Sequence, residues 1–325
     1  MLTAGPRFVA DVGGTNIRLA LIENGRISKI EKYLCTEFET IVDAINHFQK
    51  QTITGSFTAG CIAIACPVNN DIVKMTNHSW VFSKKALKSE LALEQLFVIN
   101  DFTAVAHSLP TLNHNQVIQI GAGSAKENGN IAVFGPGTGL GVEHLTWTGL
   151  GWQTLDGEGG HVDFAPNDKN DIIIWQYLHK TFGRASAEEV LSGRGIVNIY
   201  RALCLHHKQT LSFEEPSHIT KAGLANSDAM ARLAITQFCR VMGSFAGNLA
   251  LNLCTSGGVF IGGGVTSKLG EFFLQSDFRQ YFEAKGDFAH YVKDIPTYLI
   301  KEPDHGLLGA LAYLTQHTQR SNIDE

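Results

Sequence analysis

The chain has 325 residues, 44% of them hydrophobic and 18% charged, and carries a net charge of −5. That length outgrows a single hydrophobic core, so two domains are expected, and the apolar content excludes extended disorder. The mildly acidic balance, with a pI near 6.2, gives no basic footprint for nucleic acid or an anionic membrane and points to small-molecule partners.

Taken in chain order, the first signal is FVADVGGTNIRLALI at 8–22, an apolar run, a glycine turn and a second alternating run, which predicts a β-hairpin. A helix is expected at 39–51 (ETIVDAINHFQKQ), a strand at 60–68 (GCIAIACPV), a helix in KKALKSELA after Ser83, and a strand at 96–101 (LFVIND) leading into the helical FTAVAHSL. Polar text near 110–130, ending in GAGSAKENGN, marks a domain boundary. The hairpin signal then recurs in IAVFGPGTGLGVEHL at 131–145. Further helices are expected at 171–182, from the cap-like Asn226-Ser227-Asp228 through Leu253, and at 306–317; GGVFIGGGV at 257–265 reads as a short buried strand followed by glycines. Strands alternating with helices, plus hairpins, predict an α/β protein with mixed sheets. The RSNIDE tail is expected to fray.

No apolar stretch approaches the ~20 residues of a spanning helix, and the start lacks a signal-peptide layout. The expectation is a cytoplasmic protein with no membrane contact. Its six cysteines follow no ligand spacing and are expected to be reduced and structural.

Asp11 stands at a strand end before Gly13 and Gly14, which can take positive φ and let amides approach an anion. The second cluster, Gly135 to Gly141, offers the same chemistry without an acid. One amide cradle with a carboxylate and one without would suit a nucleoside triphosphate with Mg²⁺, Asp11 serving the metal shell through water; the alternative is a pair of ordinary tight turns. Neither cluster fits GxxxxGK[ST] or GxGxxG. Asp101 could take a proton from a hydroxyl nucleophile or simply cap the following helix, with Asn100 beside it to share a polyol. Glu158 and His161 lie in the glycine-rich GEGGH, too few for a metal site but suited to a neutral hydroxylated ligand. Ser186 and Glu189 satisfy a capping box, which would leave Glu188 free to face a ligand.

DVGGTN at 11–16, TNHSW at 76–80, INDFTAV at 99–105, GPGTGLG at 135–141, GEGGHVDFAP at 157–166, SAEEVLSG at 186–193 and GGVFIGGGV at 257–265 together resemble the bacterial glucokinases of the hexokinase type. The resemblance runs from Phe8 to about Leu314. It implies an actin-like ATPase (ribonuclease H-like) fold with an interdomain cleft, domains at 1–110 plus 302–325 and at 111–301, a homodimer, and phosphorylation of glucose at the 6-hydroxyl by ATP with Mg²⁺. Under it, Asn100, Asp101, Glu158, His161 and Glu188 would bind glucose, with Asp101 as general base. Ala10, Asp11, Val12, Gly13, Gly14 and Thr15, with Gly137 and Thr138, would hold phosphates, and Gly262 and Gly263 would flank the adenosine. Ala10 stands where many members carry Gly, and Pro136 removes an amide donor where a small residue is common. The cysteine-rich zinc motif of the related repressor and open-reading-frame kinases is missing, which disfavours that branch. A non-catalytic ATPase of the same fold would leave the sugar residues without a role, and a kinase for mannose or N-acetylglucosamine would differ in pocket shape alone.

Overall fold

The computed structural model describes residues 5–75 and 78–320. Thr76 and Asn77 of the TNHSW motif and the tail from Ser321, where fraying is expected, lie outside the described residues. The chain divides into two compact units, Met1–Asn113 with Glu302–Glu325, and His114–Lys301.

The first unit opens with β1 (Arg7–Val12), β2 (Asn16–Glu23) and β3 (Arg26–Leu34), followed by α1 (Ile41–Thr52), whose Thr40 cap and Asp43 form a reciprocal capping box. Next come β4 (Ala59–Ile64), the small ribbon of β5 (Ile72–Lys74) and β6 (Val81–Ser83), α2 (Lys84–Glu90) capped by Ser83, β7 (Gln95–Asn100) and α3 (Asp101–Ser108). The main sheet has the order β3-β2-β1-β4-β7, with β1 antiparallel to β2 and parallel to β4, which in turn runs parallel to β7. β4 is buried along its whole length, as its unbroken apolar text AGCIAI requires of a central parallel strand. It ends at Ile64 rather than at 68 because its partner β7 ends at the matched Asn100 and Pro67 offers no amide to the ladder.

The second unit holds β8 (Val117–Ile120), β9 (Ile131–Pro136), β10 (Leu140–Trp147), β11 (Trp152–Thr154), α4 (Lys169–Phe182), α5 (Gly193–His206), α6 (Pro216–Leu224) and α7 (Ala229–Leu253). It continues through β12 (Gly258–Ile261), α8 (Gly264–Leu269), α9 (Glu271–Leu274), α10 (Phe278–Glu283), α11 (Ala289–Val292) and β13 (Thr297–Ile300). Its sheet runs β11-β10-β9-β12-β13-β8, with β9 antiparallel to β10 and parallel to β12. Each unit therefore repeats one plan, a hairpin whose first strand also pairs in parallel with a later strand. The expected hairpins and mixed sheets are present in both. α7 starts after Asp228, whose side chain accepts from Ala231, and its apolar stripe packs Phe238, Met242, Phe245 and Leu249 into the core of this unit.

From Glu302 the chain rejoins the first unit, where α12 (His305–Arg320) packs against α3. The two faces of the first sheet are covered separately. Phe8, Phe48, Phe57 and Trp80 lie in one core, and Val9, Cys61 and Ala63 meet Leu307, Ala310 and Leu314 of α12 in the other. That alternation along β1 is the period of two of a strand buried on both sides. Gly309 lets α12 come close to α3: a Cβ there would stand 1.6 Å from the Ala104 carbonyl oxygen.

One expected helix start is absent. Ser186 pairs with Asp163 in an isolated antiparallel bridge whose bonds are made by its neighbours, and the Glu189 amide that a cap would take donates to the Ser186 carbonyl at 3.1 Å, so no capping box forms there. The helix begins instead at Gly193, where the Ser192 hydroxyl accepts from the Gly195 amide at 3.0 Å. All six cysteines are free and five are buried. Among the described residues no helix is long and apolar enough to cross a membrane.

Candidate active site

In the first unit the chemistry gathers at one sheet edge. The pairing registers align Val12, Ile64 and Asn100, so the carboxyl ends of β1, β4 and β7 share that edge, where open α/β sheets place ligands. The turn between β1 and β2 is closed by the Gly13 amide on the Asn16 carbonyl at 2.9 Å. Cys35 takes the turn's carbonyls, its amide on Thr15 at 2.9 Å and its thiol on Gly13 at 3.5 Å. Among the described residues no acceptor takes the amides of Gly14 and Thr15, which leaves two donors for an anion. Gly13 does not adopt the expected left-handed φ, and an added Cβ would meet nothing nearer than the Asn16 oxygen at 3.7 Å.

Asp11 lines the same pocket, of about 410 Å³, with Thr15, Arg18 and Lys32. The hairpin register sets Arg18 directly across from Asp11, and its guanidinium donates to Asp11 Oδ2. Arg18 also donates to Asp304 Oδ1 at 3.0 Å and to the Pro303 carbonyl at 2.9 Å. Gly306, in the first turn of α12, passes so close that a Cβ would stand 2.8 Å from Asp11 Oδ2. Asp11 is thus held by a cation through Oδ2, and no hydrogen-bond partner takes its Oδ1 among the described residues.

Asn100 and Asp101 divide their work differently from either reading of the sequence. Asn100, not Asp101, caps α3: its Oδ1 accepts from the Phe102 amide at 2.9 Å while its Nδ2 donates to the Cys66 carbonyl at 3.3 Å. One donor and one lone pair of that amide remain for a ligand. Asp101 is the first helical residue and accepts from the same Phe102 amide at 3.0 Å. Burial pushes its carboxyl up to about 6, with the nearby Asp11 charge adding to the shift.

In the second unit three segments converge. The turn after β9 is closed by the Gly137 amide on Gly139 at 2.8 Å, and Gly137 in turn accepts from Gly193 at 2.9 Å. The amides of Thr138 and Gly139 have no acceptor among the described residues, so this turn repeats the donor pair of the first one. Neither Gly137 nor Gly139 is left-handed, and a Cβ at Gly139 would stand 2.6 Å from Glu188 Oε2 and displace that carboxylate. That oxygen accepts from the Leu140 amide at 3.0 Å. The Glu188 amide donates to Gly160 at 2.9 Å, which ties Glu188 to the loop carrying Glu158 and His161. Both of those side chains are exposed, and the Arg184 guanidinium anchors the loop through the His161 carbonyl at 2.9 Å.

A pocket of about 650 Å³ opens beside that turn, lined by Gly137, Thr138, Arg194, Pro216, Thr220 and Val265 among others. Gly264 lines it, and Gly263 just before, with φ +87, packs so near the turn that a Cβ would stand 2.3 Å from the Pro136 oxygen. Gly262 donates to Phe134 at 2.9 Å at the end of β12. The pocket's largely apolar lining, with the Ser217 and Thr220 hydroxyls and the cations Arg194 and Lys268, suits a nucleoside phosphate, and Thr138 lies in its wall. Among the described residues no three His, Cys, Asp or Glu side chains group into a metal site.

The sequence pattern named neither Arg18 nor Arg194. Arg18 is recoverable from hairpin register alone, as the residue opposite Asp11. Arg194 is not, because its partners Glu188 and Glu189 reach it only through the loop that replaces the expected helix start.

The glucokinase family profile matches residues 8–317. The glucokinase of Photorhabdus laumondii is 48% identical over 322 residues, covering 98% of each chain, and that of Tolumonas auensis is 46% identical over 95% of this chain and 97% of its own. Among solved structures, a glucokinase from an Antarctic psychrotroph superimposes with a TM-score of 0.91 at 34% identity, over 96% of this chain and 99% of that one. These likenesses place the fold among the sugar kinases of the actin-like ATPase type.

Proposed function

The chain belongs to the glucokinase family, and on that premise we propose that it moves the γ-phosphoryl group of ATP to the 6-hydroxyl of glucose, giving glucose 6-phosphate and ADP. The observation that carries the reading is the pairing at one sheet edge of an Asp101 carboxyl raised to about 6 with a turn whose amides are free to meet a phosphate. A carboxylate of that pKa is ionised at neutral pH yet basic enough to accept a hydroxyl proton as the oxygen attacks phosphorus and the bond to the bridging oxygen breaks. Asn100 offers its remaining donor and lone pair to neighbouring sugar hydroxyls, and Glu158, His161 and Glu188 of the second unit supply the other acceptors and donors.

The Gly14, Thr15, Thr138 and Gly139 amides, presented by Ala10 to Thr15 and by Gly137 and Thr138, orient the phosphate chain and meet charge where it develops. Gly262 and Gly263 form the nucleoside wall. Mg²⁺ is held by few carboxylates, keeps its waters and leans on substrate phosphates, and a single Asp11 with one oxygen open fits that demand. When bound, the ion supplies charge neutralisation on the phosphates. Arg18 and Lys32 add positive charge at the same mouth.

A coupled ADP-release assay over a panel of hexoses tests this. Turnover should depend on glucose; ATP hydrolysis indifferent to sugar, or none with glucose at saturating Mg-ATP, would overturn it. A cytoplasmic, homodimeric enzyme completes the proposal. Six free thiols suit a reducing compartment, and light scattering should return twice the chain mass of 35.4 kDa.

A further inference from the structure

Arg194 occupies the second position of α5, and its backbone is fixed beside the second glycine turn by the bond from Gly193 to Gly137 at 2.9 Å. Its side chain reaches back to two acids, 3.1 Å from Glu188 Oε1 and 2.7 Å from Glu189 Oε1. Those carboxylates are only 18% and 17% exposed, whereas Arg194 is 54% exposed and lines the nucleoside-sized pocket with Gly137 and Thr138. One cation therefore stands between the acid assigned to the sugar and the turn assigned to the phosphates.

We propose that Arg194 couples the two substrates: without nucleotide it occupies Glu188 and Glu189, and a phosphate seated at Gly137 and Thr138 draws it away, releasing Glu188 to the sugar. This rests on the reading of that turn as a phosphate contact and of Glu188 as a sugar contact. A polyphosphate carries more charge than either carboxylate and matches the guanidinium fork with two oxygens, so it is the stronger competitor for an exposed arginine. Each acid keeps a partner when Arg194 leaves. Glu189 Oε2 holds Asn198 Nδ2 at 2.9 Å, and Glu188 Oε2 holds the Leu140 amide at 3.0 Å. The oxygens vacated are Glu189 Oε1 and Glu188 Oε1, and the latter, on the acid assigned to the sugar, is an acceptor with no remaining donor, which is what a sugar hydroxyl requires. The nucleotide then raises sugar affinity without touching the sugar, and linkage makes the effect reciprocal.

The test is calorimetric titration of the full-length protein with glucose, with and without saturating Mg-AMPPNP, in wild type, Arg194→Met and Arg194→Lys. Wild type should bind glucose about fivefold or more tightly when the analogue is present. In Arg194→Met the glucose affinity without nucleotide should rise toward the wild-type nucleotide-bound value and the dependence on analogue should vanish. Arg194→Lys, charged but without the fork, should keep part of the coupling. A merely structural arginine predicts the opposite, weaker glucose binding in Arg194→Met under both conditions, and that result overturns the proposal. So does unchanged coupling in Arg194→Met, or no coupling in wild type. Failure of wild type to bind glucose at all would instead strike the functional reading on which the coupling rests.

Discussion

Asp101 sits where two requirements of its chemistry conflict with its fold. A carboxylate half withdrawn from water and facing Asp11 is a better base, and it is also a cost to the native state. Because its folded pKa lies near 6, above its ordinary value, that cost is fully present above about pH 6 and is relieved as pH falls toward about 4, the ordinary range of an aspartate. Asp101→Asn should therefore lower turnover by roughly 10²–10⁴-fold while leaving Mg-ATP binding intact. The same variant should gain stability at neutral pH, by up to about 3 kcal/mol from a shift of this size, read as a higher melting temperature. In the wild type, kcat/KM should fall on acidification with an apparent pKa near 6, and an acid limb below about 4.5 would argue against Asp101 as the base. Glu188→Gln should weaken glucose binding by ~10-fold or more, the scale of a hydrogen bond to a charged group. Glu189→Gln should instead act on stability through its Arg194 and Asn198 contacts; equal glucose affinities in the two variants would contradict this division.

Elements were legible in the sequence where their signal was local. Both hairpins announced themselves through glycine turns between alternating runs, and α7 through its cap and its stripe. Asp11 and Asp101 stood out because an acid at the end of an apolar strand is chemically conspicuous. What the text concealed were contacts made by register and by loops. The Ser186-Ala187-Glu188-Glu189 run carried a sound capping pattern, but the Glu189 amide turns onto the Ser186 carbonyl and the Glu189 carboxylate holds Asn198 and Arg194, so neither half of the cap forms. Gly13 and Gly137 were expected to take a left-handed φ, whereas neither does, and a Cβ at either would meet nothing nearer than 3.7 Å. A close element contact was likewise invisible: α12 meets α3 at Gly309, where Ala104 leaves no room for a methyl group. Gly309→Ala should force the helices apart and destabilise the protein by about 1–3 kcal/mol or more, measured by urea unfolding. Gly306→Ala crowds Asp11 in the same way, and it should raise the KM for Mg-ATP more than that for glucose.

At the scale of the whole molecule, the first unit is closed by the last helix of the chain. Leu307, Ala310 and Leu314 are fully buried in its core, so removing residues 302–325 should strip one face of the first sheet and abolish turnover. Hydrogen exchange should then show lost protection in β1 and β4 with protection retained in β9 and β12; equal loss in both would mean the units do not fold separately. The closure also sets an order on synthesis. Strands β1, β4 and β7 leave the ribosome first, yet the helix that covers them is translated only after the entire second unit, roughly ten to forty seconds later at ~5–20 residues per second. The second unit is complete in one continuous stretch and can fold while the first still waits, which reverses the usual amino-to-carboxyl sequence of domain folding. During that interval Val9, Cys61 and Ala63 lack the cover that Leu307, Ala310 and Leu314 give them in the folded chain.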